Sequence, residues 1–136
     1  MTTNQIALVK KSWRAFKGIN PEVVSDLFYT KLFTDNPGLR KMFPKNMQVQ
    51  YQKLFDMLQA LVMNLDKLDT MLEDLKAMAK RHVGYGVKES HYKLVGDALL
   101  WTLAKGLSND WTEELENAWV TCYTEITACM VEAAYS

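Results

Sequence analysis

Three polar side chains occupy positions where the surrounding pattern places apolar residues. His82 continues an apolar helical stripe, and Gln50 lies one turn before Leu54 at the start of a long apolar run. Tyr29 lies one turn before an apolar pair on another predicted helix. An imidazole can ligate a metal, and phenol and amide groups can donate hydrogen bonds. Burying such a group costs about 1–3 kcal/mol without a partner, so each of these side chains requires one.

Each of these positions also has an ordinary explanation. A single histidine on an apolar stripe is more often a hydrogen-bonded core residue than a ligand. A buried tyrosine usually satisfies its hydroxyl with a backbone carbonyl, and a glutamine near a helix start is usually solvated. The residues alone therefore indicate a helical protein with one anomalous histidine, His82.

The composition fits one globular domain over residues 1–136. Of these residues, 49% are hydrophobic and 24% are charged, which excludes an intrinsically disordered chain. Sixteen basic and sixteen acidic residues give zero net charge, which excludes a general binder of nucleic acid or acidic membranes. No signal peptide pattern begins the chain, and charges interrupt every apolar stretch before the about 20 residues that cross a bilayer. We expect a soluble, cytoplasmic protein.

The two cysteines, Cys122 and Cys129, are predicted to be reduced. They lie seven residues apart in a segment with helical periodicity, which separates them by about 10.5 Å along the helix axis. A disulfide requires Cα atoms within about 7 Å of each other. No Cys-x-x-Cys pair or Cys/His cluster indicates a zinc site.

Hydrophobic periodicity predicts an all-α fold of six or seven helices, with almost no strand signal. Asn20 and Asn36 each precede a proline, and an Asn cap followed by Pro is typical of a helix start. Leu27 shares the apolar pattern of the second helix. The predicted elements are Ile6–Phe16 ended by Gly18, Val23–Phe33, a turn at Pro37–Phe43, Tyr51–Leu65, Leu72–His82 ended near Gly84 and Gly86, Glu89–Leu107, and a last helix capped by Asp110 or Thr112.

Several segments, in this order, resemble the globin family over essentially the whole chain. The similarity is to single-domain bacterial globins, to the haem domain of flavohaemoglobins and, around residues 81–87, to neuroglobin. The segments that carry it are Leu27–Phe33, Asn36–Phe43, Gln50–Phe55, Lys80–Val87, His91–Leu100 and Ala118-Trp119.

The resemblance implies a haem b held between the helices that carry Gln50 and His82. His82 is the one histidine that matches the family's iron ligand. Its other ring N–H needs an acceptor, for which the carbonyl of Met78 or a neighbour is expected. Phe43 matches the phenylalanine that packs on the haem ring. On the side opposite His82, Tyr29 and Gln50 are expected to donate hydrogen bonds to O2.

Apolar walls and polar residues near the pocket mouth complete the implied site. The expected walls are Leu54, Leu58, Val87 and Val95. Lys53 can reach a haem propionate, although a solvated lysine fits equally well; Arg81 and His91 are similar candidates, and His91 is expected to be exposed. Tyr92 matches the tyrosine that flavohaemoglobins place near the iron-ligating histidine. Glu132 falls about one turn too early to match their glutamate.

Two functions of different classes fit the implied site. The first is reversible, high-affinity binding of O2 for storage, scavenging or transport, with CO and NO as further ligands. The alternative is NO dioxygenation, in which a separate reductase restores the iron because this chain carries no flavin or nicotinamide domain. A third hypothesis, a haem-free helical interaction module, predicts a colourless protein.

Overall fold

The computed structural model describes residues 1–135, which form an all-helical fold. This part of the chain contains six α-helices, three 3-10 helices and no strand, so the predicted fold class is confirmed. None of the described helices is both long and apolar enough to span a bilayer. The α-helices are α1 (Thr3–Phe16), α2 (Pro21–Asp35), α3 (Met47–Met63), α4 (Leu72–Gly84), α5 (Glu89–Leu107) and α6 (Glu113–Tyr135). The 3-10 helices are Pro37–Met42, Leu65–Met71 and Ser108–Asp110.

The predicted caps form at the starts of α2 and α6 but not at Pro37–Met42. The Asn20 side-chain oxygen accepts a hydrogen bond from the Glu22 N–H at 2.9 Å, and the Thr112 hydroxyl oxygen accepts from the N–H three residues later at 3.1 Å. The prediction that Asn36 caps the following segment is wrong. Its side-chain amide donates to the Leu32 carbonyl at 3.2 Å. The last carbonyls of a helix lack helical partners, so Asn36 satisfies the end of α2 instead.

The main helix contacts pack α6 along α4 and α1, and α2 against α5. The core between them contains large aromatic side chains that are almost completely buried, among them Trp13, Phe16 and Trp119. Leu27 was predicted on the apolar face of α2 but is 36% exposed, because α2 turns the face with Phe28 toward the core. The apolar face of α2 is therefore narrower than its sequence suggests.

A buried hydrogen-bond chain joins α1 to α6. The Trp119 indole N–H donates to the Ser12 hydroxyl oxygen at 2.9 Å, and that hydroxyl donates to the Val9 carbonyl at 2.9 Å. All three residues are buried, so neither polar side chain has water available as a replacement partner. Ser12 therefore satisfies the one polar atom of a buried tryptophan.

Replacing Ser12 with Ala is expected to destabilise the protein by about 1–3 kcal/mol, because the Trp119 N–H would remain buried without an acceptor. Urea unfolding measures the change. The matched control is Ser90→Ala, which removes a hydroxyl from an exposed position on α5 and is expected to change stability by less than about 0.5 kcal/mol. Equal stabilities of the two variants would contradict the assigned role of Ser12.

A tight turn ends the helix that carries His82. Gly86 has a φ of +85°, a backbone conformation that suits glycine. The N–H groups of Tyr85 and Val87 hydrogen-bond to the His82 carbonyl at 3.1 and 3.0 Å. Because Gly84 is the last residue of α4, the predicted helix end is confirmed. His82 therefore lies in the last turn of α4.

The two cysteines are free, as the sequence predicts. Cys122 is buried and Cys129 is half-buried on α6. Burial raises the pKa of the Cys122 thiol to about 12. The Cys122 side chain therefore packs as a small, neutral, apolar group.

Candidate functional site

His82 is half-buried and hydrogen-bonded to its own helix. Its Nδ1 lies 2.6 Å from the Met78 carbonyl oxygen. A carbonyl oxygen can only accept, so Nδ1 carries the proton in the neutral ring and Nε2 keeps a free lone pair. This hydrogen bond is the one expected from the sequence, and it leaves the imidazole in the form that binds a metal.

Two tyrosines flank the His82 ring. The Tyr92 ring stacks with it at a centroid distance of 6.3 Å and an interplanar angle of 25°, and the exposed Tyr85 lies 6.2 Å away. The Tyr92 backbone is held in turn by Tyr123, whose hydroxyl donates to the Tyr92 carbonyl oxygen. Burial raises the pKa of Tyr123 well above its usual value, so it remains a neutral donor. These contacts place Tyr92 beside the candidate ligand, as the resemblance implied.

Tyr29 is buried in an aromatic cluster formed by α2, α3 and the segment between them. Only 4% of its surface is exposed. Its ring lies 5.8 Å from Phe33, 5.7 Å from Phe43 and 4.7 Å from Tyr51. The half-buried Gln50 side chain lies beside its hydroxyl, within the range at which hydrogen bonding lowers the pKa of Tyr29. The structure therefore brings together Tyr29, Gln50 and Phe43, three of the residues singled out from the sequence.

The Tyr29 hydroxyl remains protonated throughout the physiological pH range. Burial raises its pKa well above the usual value for a tyrosine, and the hydrogen bond with Gln50 offsets this only in part. A neutral phenol can donate one hydrogen bond and accept others. Tyr29 is thus a permanent donor in an apolar environment, where hydrogen bonds are stronger than in water.

Two of the four predicted wall residues line a small cavity in the core. Leu54 and Leu58 of α3 border a space of about 10 Å³, room for about one water molecule. The other residues that line it come from α1, α2, α3 and α5: Phe16, Val24, Ser25, Phe28, Phe55, Leu99 and Thr102. Val87 and Val95 are half-buried, and the role of all four as walls of a haem site stays a prediction.

The polar candidates at the pocket mouth lie near the surface. Lys53, Arg81 and Glu132 are exposed. His91 was expected to be exposed but is half-buried, because its Nδ1 accepts a hydrogen bond from the Lys88 N–H at 2.9 Å at the start of α5. His91 therefore caps a helix, a structural role that the sequence did not indicate.

Two residues beside Tyr29 were not among the predicted site residues. Tyr51 contacts the Tyr29 ring and donates its hydroxyl to Asp26 at 2.7 Å. Their spacing from the predicted site residues could have drawn attention to them. Asp26 lies three residues before Tyr29, which places both on one side of a helix, and Tyr51 directly follows Gln50. The pairing itself depends on how α2 and α3 approach each other.

A family model described as Globin matches residues 26–130 of the chain. The chain belongs to the globin family. The leghemoglobin of Canavalia lineata is 33% identical over 95% of this chain and 93% of its own length. The flavohemoprotein of Bordetella pertussis is 30% identical over 92% of this chain, but this chain spans only 32% of that protein. A bacterial globin structure from Campylobacter jejuni has a TM-score of 0.85 at 27% identity, with 98% of this chain and 96% of that chain covered.

The residues of this globin fit a haem better than a bare metal ion. No group of three or more His, Cys, Asp or Glu side chains within residues 1–135 could hold an ion by itself. A haem already supplies four ligands to its iron, so one neutral imidazole from the protein is sufficient. Nε2 of His82, which keeps its lone pair in this tautomer, meets that requirement. Family membership therefore implies a haem cofactor, and His82 is its candidate ligand.

Proposed function

We propose that this globin binds O2 reversibly and with high affinity through a haem b ligated by His82. The observation that carries the proposal is the pair formed by the buried Tyr29 hydroxyl and the Gln50 side chain. Held by His82, haem b would supply a ferrous iron that binds a diatomic gas and gives it partial negative charge. Hydrogen-bond donors on that side favour the charged ligand.

His82 contributes a neutral, oriented nitrogen to the proposed site. The hydrogen bond from Nδ1 to the Met78 carbonyl selects the tautomer in which Nε2 is free. Tyr92 restricts ring rotation, because the two rings stack at an interplanar angle of 25°. The imidazole is therefore available without a rearrangement of α4.

Tyr29 and Gln50 act together on the opposite side. Each donor to a charged acceptor contributes about 1–3 kcal/mol. The Tyr29 ring is held by Phe33, Phe43 and Tyr51, so its hydroxyl loses little rotational freedom when a ligand arrives. We expect this rigidity to favour slow release of O2.

The proposed site predicts a five-coordinate ferrous state without ligand. Gln50 offers iron no useful donor, and the raised pKa of Tyr29 keeps its hydroxyl protonated. We expect a high-spin absorption and resonance Raman spectrum of the reduced protein. The matched control is Gln50→His, which places an imidazole at the same position and is expected to give a low-spin, six-coordinate spectrum. A low-spin spectrum of the unmodified ferrous protein would contradict the prediction.

The absorption spectrum and the O2 binding of the purified protein together test the proposal. Purified protein loaded with haem should show the absorption of haem b and bind O2 reversibly. A protein that retains no haem would support the interaction module instead.

NO dioxygenation uses the same two donors and differs in its need for electrons. The similarity to a flavohemoprotein covers about one third of that protein, and this alternative needs a reductase to return the iron to the ferrous state. Steady-state consumption of NO in the presence of a reductase would favour this alternative. Reversible O2 binding without sustained NO consumption would favour the proposed binding function.

A further inference from the structure

The hydroxyl of Tyr51 connects α3 to α2 through a single side-chain hydrogen bond. It donates to the Asp26 carboxylate at 2.7 Å, across 25 residues of sequence. Burial and the neighbouring Asp26 raise the pKa of Tyr51 to about 12, so the phenol keeps its proton. A neutral phenol and a carboxylate form a charge-assisted hydrogen bond, which is stronger than a bond between neutral groups.

The ring of Tyr51 supports Tyr29 directly. The two ring centroids are 4.7 Å apart with an interplanar angle of 31°. The other rings around Tyr29 belong to α2 itself or to Phe43. Tyr51 is thus the ring through which α3 contacts Tyr29 in the described chain.

Two residues of α2 face two residues of α3 where these helices approach each other. Asp26 and Tyr29 lie three residues apart on α2. Asp26 accepts a hydrogen bond from Tyr51 of α3, and Tyr29 lies beside Gln50, the residue before Tyr51. The backbones of α2 and α3 are not among the closely packed helix pairs of residues 1–135. Side chains, and not close helix packing, therefore set the separation of α2 and α3 at this point.

We infer that Tyr51 is a positioning residue of the gas site: anchored by Asp26, it holds the Tyr29 hydroxyl in place to meet the ligand. The inference rests on the proposed function, in which Tyr29 donates to O2. Neither Tyr51 nor Asp26 needs to touch the ligand. Without the anchor the Tyr51 ring can move away from Tyr29, and α3 can shift relative to α2 at Gln50.

The first test compares O2 release from haem-loaded Tyr51→Phe with release from the unchanged protein. Phe keeps the ring but loses the hydrogen bond, so we expect release to accelerate about three- to tenfold, the range of a typical net hydrogen bond. Asp26→Ala should accelerate release similarly, and Asp26→Asn should restore a slow rate because its amide oxygen still accepts. The double variant Tyr51→Phe with Asp26→Ala should release O2 as fast as either single variant, because all three variants lack the same hydrogen bond.

The matched control is Thr70→Val, which also removes one hydroxyl hydrogen bond. Thr70 is exposed, and its hydroxyl donates to the Lys67 carbonyl oxygen at 2.6 Å, outside the proposed site. The release rate of this variant is expected to stay within about 1.5-fold of the unchanged protein, because surface substitutions have small effects. An acceleration equal to that of Tyr51→Phe would overturn the inference.

A vibrational measurement separates positioning from a general loss of structure. The C–O stretching frequency of the carbonmonoxy protein reports the local field of nearby hydrogen-bond donors. We expect Tyr51→Phe and Asp26→Ala to shift or broaden this band, Asp26→Asn to restore it, and Thr70→Val to leave it unchanged. An unaltered band in both Tyr51→Phe and Asp26→Ala would overturn the inference.

The same substitutions in a Tyr29→Phe background show whether Tyr51 acts through Tyr29. In that background Tyr51→Phe should change O2 release by less than about 1.5-fold, since the donor it positions is gone. A persistent three- to tenfold effect would overturn the inference. If Tyr29→Phe alone leaves release unchanged, the proposed function fails; if it accelerates release but Tyr51→Phe does not, only the inference fails.

Discussion

His82→Gly is expected to lose its haem during purification or to keep it only when imidazole is added. The tautomer of His82 is fixed by the Met78 carbonyl oxygen, 2.6 Å from Nδ1, which leaves Nε2 as the nitrogen with the lone pair. Glycine removes that ligand and leaves a space that added imidazole can fill. Haem content per polypeptide and the visible spectrum, with and without imidazole, measure the result.

His91→Gly provides the matched control for this prediction. His91 accepts a hydrogen bond from the Lys88 N–H at 2.9 Å and lies at the start of α5. Its loss should weaken a helix cap while leaving haem content and spectrum unchanged. Because Gly destabilises a helix by about 1 kcal/mol relative to Ala, His82→Ala is measured as well. Normal haem content in both His82 variants would show that another residue ligates the iron.

Local signals explain why most helix limits could be predicted from the sequence. Asn20 and Pro21 start α2, and Gly86 ends the turn after α4, through interactions within a few residues of each position. The Asn36 prediction is wrong because its side chain can serve either of two adjacent helices. The Leu27 prediction is wrong because periodicity gives the direction of an apolar face but not its width.

In the candidate site, too, the sequence predicts features that depend on nearby residues and misses those that depend on contacts between helices. His82, Tyr29 and Gln50 stand out in the sequence as polar residues on apolar faces, and the resemblance to globins, beyond this pattern, assigns them to one site. The Tyr51 hydrogen bond with Asp26 could not be found, since it forms between helices whose separation depends on the whole fold. The roles of these residues toward haem and gas stay predictions, which the substitutions described here test.

Tyr29→Phe is expected to speed O2 release by about 10- to 100-fold, equivalent to about 1.4–2.8 kcal/mol. The substitution keeps the ring contacts with Phe33, Phe43 and Tyr51 and removes only the hydroxyl. Tyr29 is 4% exposed, so water cannot readily replace the lost donor. Stopped-flow measurement of O2 release gives the rate directly.

Gln50→Leu should have a smaller effect than Tyr29→Phe. The Gln50 side chain is half-buried and has more rotatable bonds, so ordering it against a ligand costs more entropy. Because the Gln50 side chain lies close enough to the Tyr29 hydroxyl to affect its pKa, each single substitution also alters the surroundings of the other donor. The double variant is therefore expected to fall short of the sum of the two single effects.

Release of CO distinguishes a donor from a residue that only shapes the pocket. CO carries little negative charge for a hydroxyl to stabilise, so its release should change far less than that of O2 in Tyr29→Phe. A change in packing or access would instead alter the release of both gases, because they are similar in size. An unchanged O2 rate, or equal changes for O2 and CO, would mean that Tyr29 has a structural role and that the affinity for O2 has another source.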